Sequence, residues 1–352
     1  MTNGPSITRT AELVLIGAGR GALQRQLEQL LAALDDVRDL CLIRVFYRHD
    51  LNEAGLRRAI ATALTGVAVQ PVLTMVPVKV PCPAGSVVSL EAMAVLGSST
   101  LVSGVDDLGF AAGLRRGRFV FTKAVRTSGP VGMVAESRGV MAQLSAILTD
   151  IGAGFADVVR MNRWYHAAGT KDEWEPSARA VAACYTEPGP IATAICLPAP
   201  LPGGGVIQIE LMGMLAEDGT ELAKTHSWPA GHWNWPIHLP YKHGLACGGL
   251  AFVGGQVALD VKAEVLEPED MERQIALSLD NVAKVLAGFG AKSRLLHLGI
   301  YSEVPPGGFG GKGAAATALQ AAGQSCPSVT VGFDHLSYPK MRVEIEAIAE
   351  LG

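Results

Sequence analysis

Glu344 lies in VEIEAIA near the end of the chain, where strand alternation puts it on one face with Glu346 and apolar neighbours on the other. A glutamate facing a closed, partly apolar cleft has a raised carboxyl pKa and can act as an acid or base; on a solvated face it is only a salt-bridged strand residue. Lys123 ends the apolar strand FVFTK on the face of Phe119 and Phe121. Partial desolvation there would fit it to pair with an anion or act with a lowered pKa, whereas the plainer reading is a strand-end lysine whose stem is buried and whose ammonium reaches water. Tyr241 could hydrogen-bond a substrate carbonyl or carboxylate across a module boundary, or simply pack its ring and wet its hydroxyl. Arg44 in LCLIRVFYR and Arg163 in VRMNRWYH sit inside otherwise apolar strands, where a guanidinium needs a carboxylate partner or a ligand. Structural ion pairing is the first expectation for both arginines and substrate binding the second.

Other motifs carry less. VLIGAGRGA before a helix has the look of a dinucleotide loop, but Ala22 stands at its third glycine position and the next strand carries Arg44 and Arg48, so no nucleotide cofactor is expected. GGFGGKG (307–313) lacks the first glycine and the final hydroxyl of a phosphate loop and reads as a mobile loop over a cleft. His226, His232, His238 and His243 crowd a Trp-rich stretch without metal-pair spacing, so no metal is expected and they read as structural or substrate-contacting. Cys41, Cys82, Cys184, Cys196, Cys247 and Cys326 are spread singly, as reduced thiols are.

The elements that must position these residues repeat three times. A strand-like opening, a helix with apolar positions three and four apart, a strand, a second helix and two strands recur in the order seen in GGLAFVGGQVAL, DMERQIALSLDNVAKVLAGFGA, LLHLGIYSEV, AAATALQAAG, a strand near Thr330 and MRVEIEAIAEL. From Phe46 to Glu91 is 45 residues, from Trp164 to Glu210 is 46, and from Tyr301 to Glu346 is 45. Residues 97–108 and the Trp-rich stretch 216–239 read as connections, which divides the chain into modules 1–97, with a shortened opening hairpin, 98–215 and 216–352. Such units leave their helices on one face of a mixed sheet whose other face needs an apolar partner. The expected fold is therefore α/β, with three sheets around a pseudo-threefold central barrel, helices outside and small-molecule clefts between modules.

Bulk composition agrees with a folded enzyme-sized chain: 49% hydrophobic residues supply ample core material. A formal charge of -4 and scattered basic residues give no footprint for nucleic acid or an anionic membrane. The N-terminus has no leader pattern and no stretch is long enough to span a bilayer, so a cytoplasmic location is expected.

LPYKHGLACGGLAFVGGQVALD (239–260) and MRVEIEAIAEL (341–351) resemble the opening and closing segments of RidA-type (YjgF-like) reactive-intermediate deaminases, and LGFAAGLRRGRFVFTKAVRTS (108–128) is similar to the same opening. The resemblance implies three fused subunits of that family, a monomeric pseudo-trimer or weak homo-oligomer, and hydrolysis of small imines or enamines without cofactor. It implies that Tyr241 orients substrate, that the Gly255 N–H faces ligand and that Glu344 positions water; in the middle module these positions are Phe110, Ala124 and Gln208, and in the first the glutamate position is Ser89. The family's clamp arginine is replaced by Leu73, Ala192 and Ser328, and its site asparagine, expected near Ser177 and Ala314, is absent.

The expected activity is a cofactor-independent hydrolase or deaminase adding water to a C=N or amide-like bond of a small nitrogenous metabolite. Glu344, Lys123 and Tyr241 are its catalytic candidates; Gly255, Ser328, Thr330, Arg163 and Arg44 are its substrate contacts. Without the usual clamp, the substrate either lacks the carboxylate or has it held differently. A non-catalytic ligand-binding protein and a chorismatase-like hydrolase, also similar to fused YjgF-like modules, are the alternatives.

Overall fold

The computed structural model describes residues 5–17, 21–67, 71–81, 85–97, 100–167, 171–304 and 326–352. The chain first forms β1 (Ser6–Arg9), β2 (Leu13–Gly17), α1 (Leu23–Ala32), β3 (Leu40–Arg48), α2 (Glu53–Ala63), β4 (Val72–Val78) and β5 (Val88–Val95). Next come β6 (Thr100–Val105), β7 (Ala111–Arg116), β8 (Phe119–Thr122), β9 (Val125–Arg126), α3 (Met133–Asp150), β10 (Val158–Tyr165), α4 (Lys171–Ala182), β11 (Ile191–Cys196) and β12 (Ile207–Met214). The last part contains β13 (Lys224–Ser227), β14 (Gly244–Cys247), β15 (Leu250–Gln256), α5 (Met271–Ala287), β16 (Ser293–Glu303), β17 (Ser328–Phe333) and β18 (Val343–Leu351).

Local chemistry sets these boundaries. Asn52 and Asp270 cap α2 and α5 by accepting the backbone N–H of Gly55 (3.3 Å) and Arg273 (2.9 Å). Proline precedes each of the strands β4, β11 and β17, at Pro71, Pro190 and Pro327, where a missing N–H costs the ladder nothing. Two stretches expected as connections are partly strand: β6 within 97–108 pairs with β7, and β13 within 216–239 pairs with β14. Each meets an open hairpin edge, where strand pairing satisfies its backbone donors and acceptors. The expected alanine-rich helix, Ala314, the GGFGGKG loop, the centre of VLIGAGRGA and Cys82 lie outside the described residues.

One strand order recurs: β2-β5-β3-β4, β8-β12-β10-β11 and β15-β18-β16-β17. The last pair of each run is parallel, β3 with β4, β10 with β11 and β16 with β17. The first two runs join through Val72 and Ala111 into a 12-stranded sheet, and the third belongs to a 6-stranded sheet. Gly332 and Val80 bond reciprocally, with Gly332 N–H donating to Val80 at 2.7 Å, so β17 is tied to the chain just beyond β4. The result is a mixed α/β fold of curled, half-barrel sheets.

The cores show what curls them. Each helical set packs on its own run of strands: α1 and α2 over Ile43 and Leu90, α3 and α4 over Met161 and Ile209, α5 over Ile300 and Ile345. The opposite faces share two cores to which all three stretches contribute, one joining Leu15, Phe121 and Phe252, the other Phe46, Trp164 and Tyr301. Phe110 inserts into the helix-side core of the first stretch, and Tyr241 into that of the second. No described helix is long and apolar enough to cross a membrane.

Candidate active site

Four of the residues singled out in the sequence line one cavity of about 70 Å³: Arg163, Tyr241, Gly255 and Glu344. Its floor follows from strand register. Met161 and Arg163 on β10 stand beside Ala192 and Ala194 on parallel β11, so all four share a face, and the two alanines leave the space that larger side chains would fill.

Glu344 enters from β18. Its neighbours Val343 and Ile345 pack against α5, so Glu344 and Glu346 point away from the helix, as alternation predicts. The ladder between β15 and β18 passes from Val253–Ala347 to Gln256–Ile345, a bulge that skips Gly254 and Gly255. A Cβ on Gly255 would overlap Glu344 Oε1, so glycine is required for the carboxyl to occupy its place. Gly255 thus has a role beyond the expected N–H donor. Burial pushes the Glu344 carboxyl up to about 8, opposed by a 3.4 Å bond from the Ala194 N–H and reinforced by the Glu346 charge. At neutral pH this is a protonated acid inside a cavity.

Arg163 departs from the expectation of an ion pair. Its Nη2 donates to Ser177 Oγ (2.8 Å) and the Trp174 carbonyl (3.4 Å), and its guanidinium lies 4.6 Å from the Tyr165 ring. No carboxylate pairs with it among the described residues, and its Nε is buried without an acceptor. Burial lowers its pKa from the usual value, yet an arginine stays charged in proteins. Ser177, near the expected place of the family's asparagine, holds it. The corresponding strand positions are Val45 and Ile300, so this cation has one occurrence in the three runs.

The remaining wall is aromatic. Tyr241 packs edge-on against Tyr185 at 6.0 Å, and burial raises its phenol pKa. Trp174, Trp233 and Tyr338 also line the cavity, and Tyr338 OH is buried without a hydrogen-bond partner among the described residues. Sequence reasoning missed these three; the Trp-rich stretch was visible, but its docking over Gly255 was not. Behind it His243 is a packing residue: it is buried beside Trp235 at 4.6 Å, bonds the Trp233 carbonyl (2.9 Å) and is pushed down to about 3 by burial and by His232. His232 in turn bonds Gln256 Oε1 at 2.8 Å, whereas His238 is exposed beside Glu187.

Four candidates lie elsewhere. Lys123 sits in a separate cleft with Leu73, Met75 and Gln208, because the bulge after β8 faces β4 and not β11. It therefore cannot act with Glu344. Ser328 and Thr330 are on β17; the Ser328 N lies 3.1 Å from where a Gly17 Cβ would stand, facing β2 across a third junction. Arg44 is an ion-pair residue: it bridges Glu91 and Glu210, while Arg160 pairs with Glu346. Thr193 (2.6 Å), Tyr301 (2.7 Å) and Asn162 (2.8 Å) also donate to Glu346, and His297 lies 3.0 Å from Glu91. The three glutamates that share the 45- or 46-residue spacing are thus the acids of one buried network. Burial alone would raise Glu91, but Arg44 and His297 pull it down to about 2.

Comparison with known proteins bears on the fold that carries this cavity. Residues 236–351 match the family model described as Endoribonuclease L-PSP. The chain is similar to the crystal structure of a chorismatase with a TM-score of 0.63 and 13% identity, covering 97% of this chain and 99% of that one. This likeness defines the fold. A YjgF/YER057c/UK114 family member from Mycobacterium tuberculosis is 20% identical, covering 33% of this chain and 100% of its own at a TM-score of 0.30. RidA from the Antarctic bacterium Psychrobacter sp. is 21% identical, covering 33% of this chain and 94% of its own at 0.28. No curated protein matches the chain.

Proposed function

We propose that the chain is a cofactor-independent hydrolase that adds water to a C=N or amide-like bond of a small, planar, carboxylated metabolite in the Arg163–Glu344 cavity. The observation that carries this reading is the pairing of an uncompensated buried cation with a buried neutral acid in one aromatic-walled cavity. Arg163 holds the substrate carboxylate in place of the missing family arginine, so the charge is held differently and not lost. Tyr241 and Tyr338 orient the substrate by their hydroxyls.

Glu344 then donates its proton to the imine nitrogen, which makes the carbon electrophilic. Water adds to that carbon and returns a proton to the Glu344 carboxylate, and the carbinolamine collapses to a carbonyl compound and ammonia. The proton balance closes on one side chain. We further propose that residues 1–97, 98–215 and 216–352 are three fused RidA-like modules, supported by the recurrent strand order and by the equivalent docking of Phe110 and Tyr241. The molecule would then act as a monomeric pseudo-trimer.

A second reading, hydrolysis of a cyclic unsaturated acid such as chorismate, is favoured by the fold likeness across 97% of the chain. Incubating the protein with carboxylated imines, cyclic amides and chorismate, with Glu344→Gln as control, separates the two by NMR and ammonia release. Ammonia from imines supports the first reading and loss of chorismate alone the second; no turnover of any would favour a ligand-binding protein.

A further inference from the structure

The cleft holding Lys123 is built on the same plan as the cavity but carries different chemistry. Its volume is about 270 Å³. Leu73 and Met75 on β4 take the places that Ala192 and Ala194 have on β11. Val125 faces Ile209 as Gln256 faces Ile345, which sets Gln208 in the place of Glu344 and Ala124 in that of Gly255. The backbone is matched as well: Lys123 N–H donates to Ala112 (3.0 Å) as Gly254 N–H donates to His243 (2.9 Å).

The charges in this cleft do not cancel. Arg57 pairs with Asp106, and Arg126 pairs with Glu53 at 2.7 Å, which also accepts from Tyr47 OH at 2.9 Å. Lys123 makes no ion pair and no side-chain hydrogen bond among the described residues; Asp106 acts on it only at a distance and is itself paired with Arg57. Three cations against two carboxylates leave one positive charge beside the apolar walls of Leu73, Met75 and Val125. Partial burial of Lys123 lowers its pKa, with Asp106 working against the shift.

We propose that this cleft is a second binding site, which holds a small monoanionic carboxylic acid against Lys123 without transforming it. One negative charge completes the balance, and a compact apolar body fits the Leu73–Met75–Val125 wall. The acid position argues against turnover: Gln208 is an amide with no ionisable proton for general acid catalysis, and its Nε2 donates to the Met75 carbonyl at 2.9 Å. The bulge N–H of Ala124 is likewise engaged, by Thr74 Oγ1 at 2.9 Å. The proposal does not rest on the reaction assigned to Glu344.

Calorimetric titration of the full chain with benzoate tests it. Two binding events are expected. Lys123→Met should weaken one by about tenfold, the loss of one charge-assisted bond, while Arg163→Met weakens the other. Lys123→Gln repeats the test if the first variant melts early. On the unaltered protein, benzoate should slow acylation of Lys123 by acetic anhydride, read by peptide mass spectrometry. A single event untouched by Lys123→Met, equal acylation with and without benzoate, or saturation by inorganic phosphate alone would overturn the proposal.

Discussion

The carboxyl of Glu344 occupies space that any side chain on Gly255 would need, so the acid's position depends on a missing Cβ one strand away. Gly255→Ala should therefore act on catalysis more than on folding. A displacement of about 1 Å costs on the order of 10²-fold in rate. We expect that loss in kcat/KM with a melting temperature close to that of the parent. Gly254→Ala next door is the contrast: its Cβ would stand 2.8 Å from the Ala192 carbonyl, so it should lower the melting temperature by wedging β15 from β11.

Glu344 must be protonated to act as the acid, and burial holds its pKa at about 8. Activity should fall tenfold per pH unit above that value, and Glu344→Gln should lower kcat by about 10²–10⁴ at pH 7. Stability has a definite sign too. The folded pKa exceeds the unfolded one, so the native state binds the extra proton and its relative stability is lost as pH rises to about 8. Glu344→Gln should remove that slope in urea titrations at successive pH values.

Arg163 buries a charge with no counter-ion among the described residues. Arg163→Met should raise stability while weakening substrate binding, with KM up by roughly 10–100-fold if one or two charge-assisted bonds are lost. A variant that lost both stability and binding would assign the residue to the fold.

Arg44 is the opposite case. Arg44→Met leaves Glu91 and Glu210 facing each other without their shared cation, and should destabilise by about 3–5 kcal/mol. Adding Glu91→Gln and Glu210→Gln should recover most of it, as chemical denaturation would show.

The contrast between the two arginines marks where sequence reasoning stops. Both lie in apolar strands and look alike in sequence. Arg44 meets glutamates from its own and a neighbouring stretch, whereas Arg163 meets neutral groups, Ser177, the Trp174 carbonyl, Met133 and the Tyr165 ring. That difference arises from which strand edges abut, a tertiary fact. Repeat order and the three spaced glutamates were legible because period and spacing survive divergence. Glu344, Tyr241 and Gly255 were legible by resemblance. Their grouping with Arg163, and the exclusion of Lys123, Ser328 and Thr330, depended on three separate junctions that one chain brings together. Tyr338 and Trp233 were missed because their segments carry no periodic signal.

Arg163 has Val45 and Ile300 at its equivalent places. In an assembly of identical subunits a codon change is copied into every cleft, and three uncompensated guanidiniums would be buried together. If the three stretches are fused modules as proposed, a continuous chain confines such an innovation to one wall of one chamber, leaving the other two clefts free to drift toward different ligands or none. Specialisation by single substitutions would be open to such a fused architecture and closed to a symmetric assembly of identical subunits.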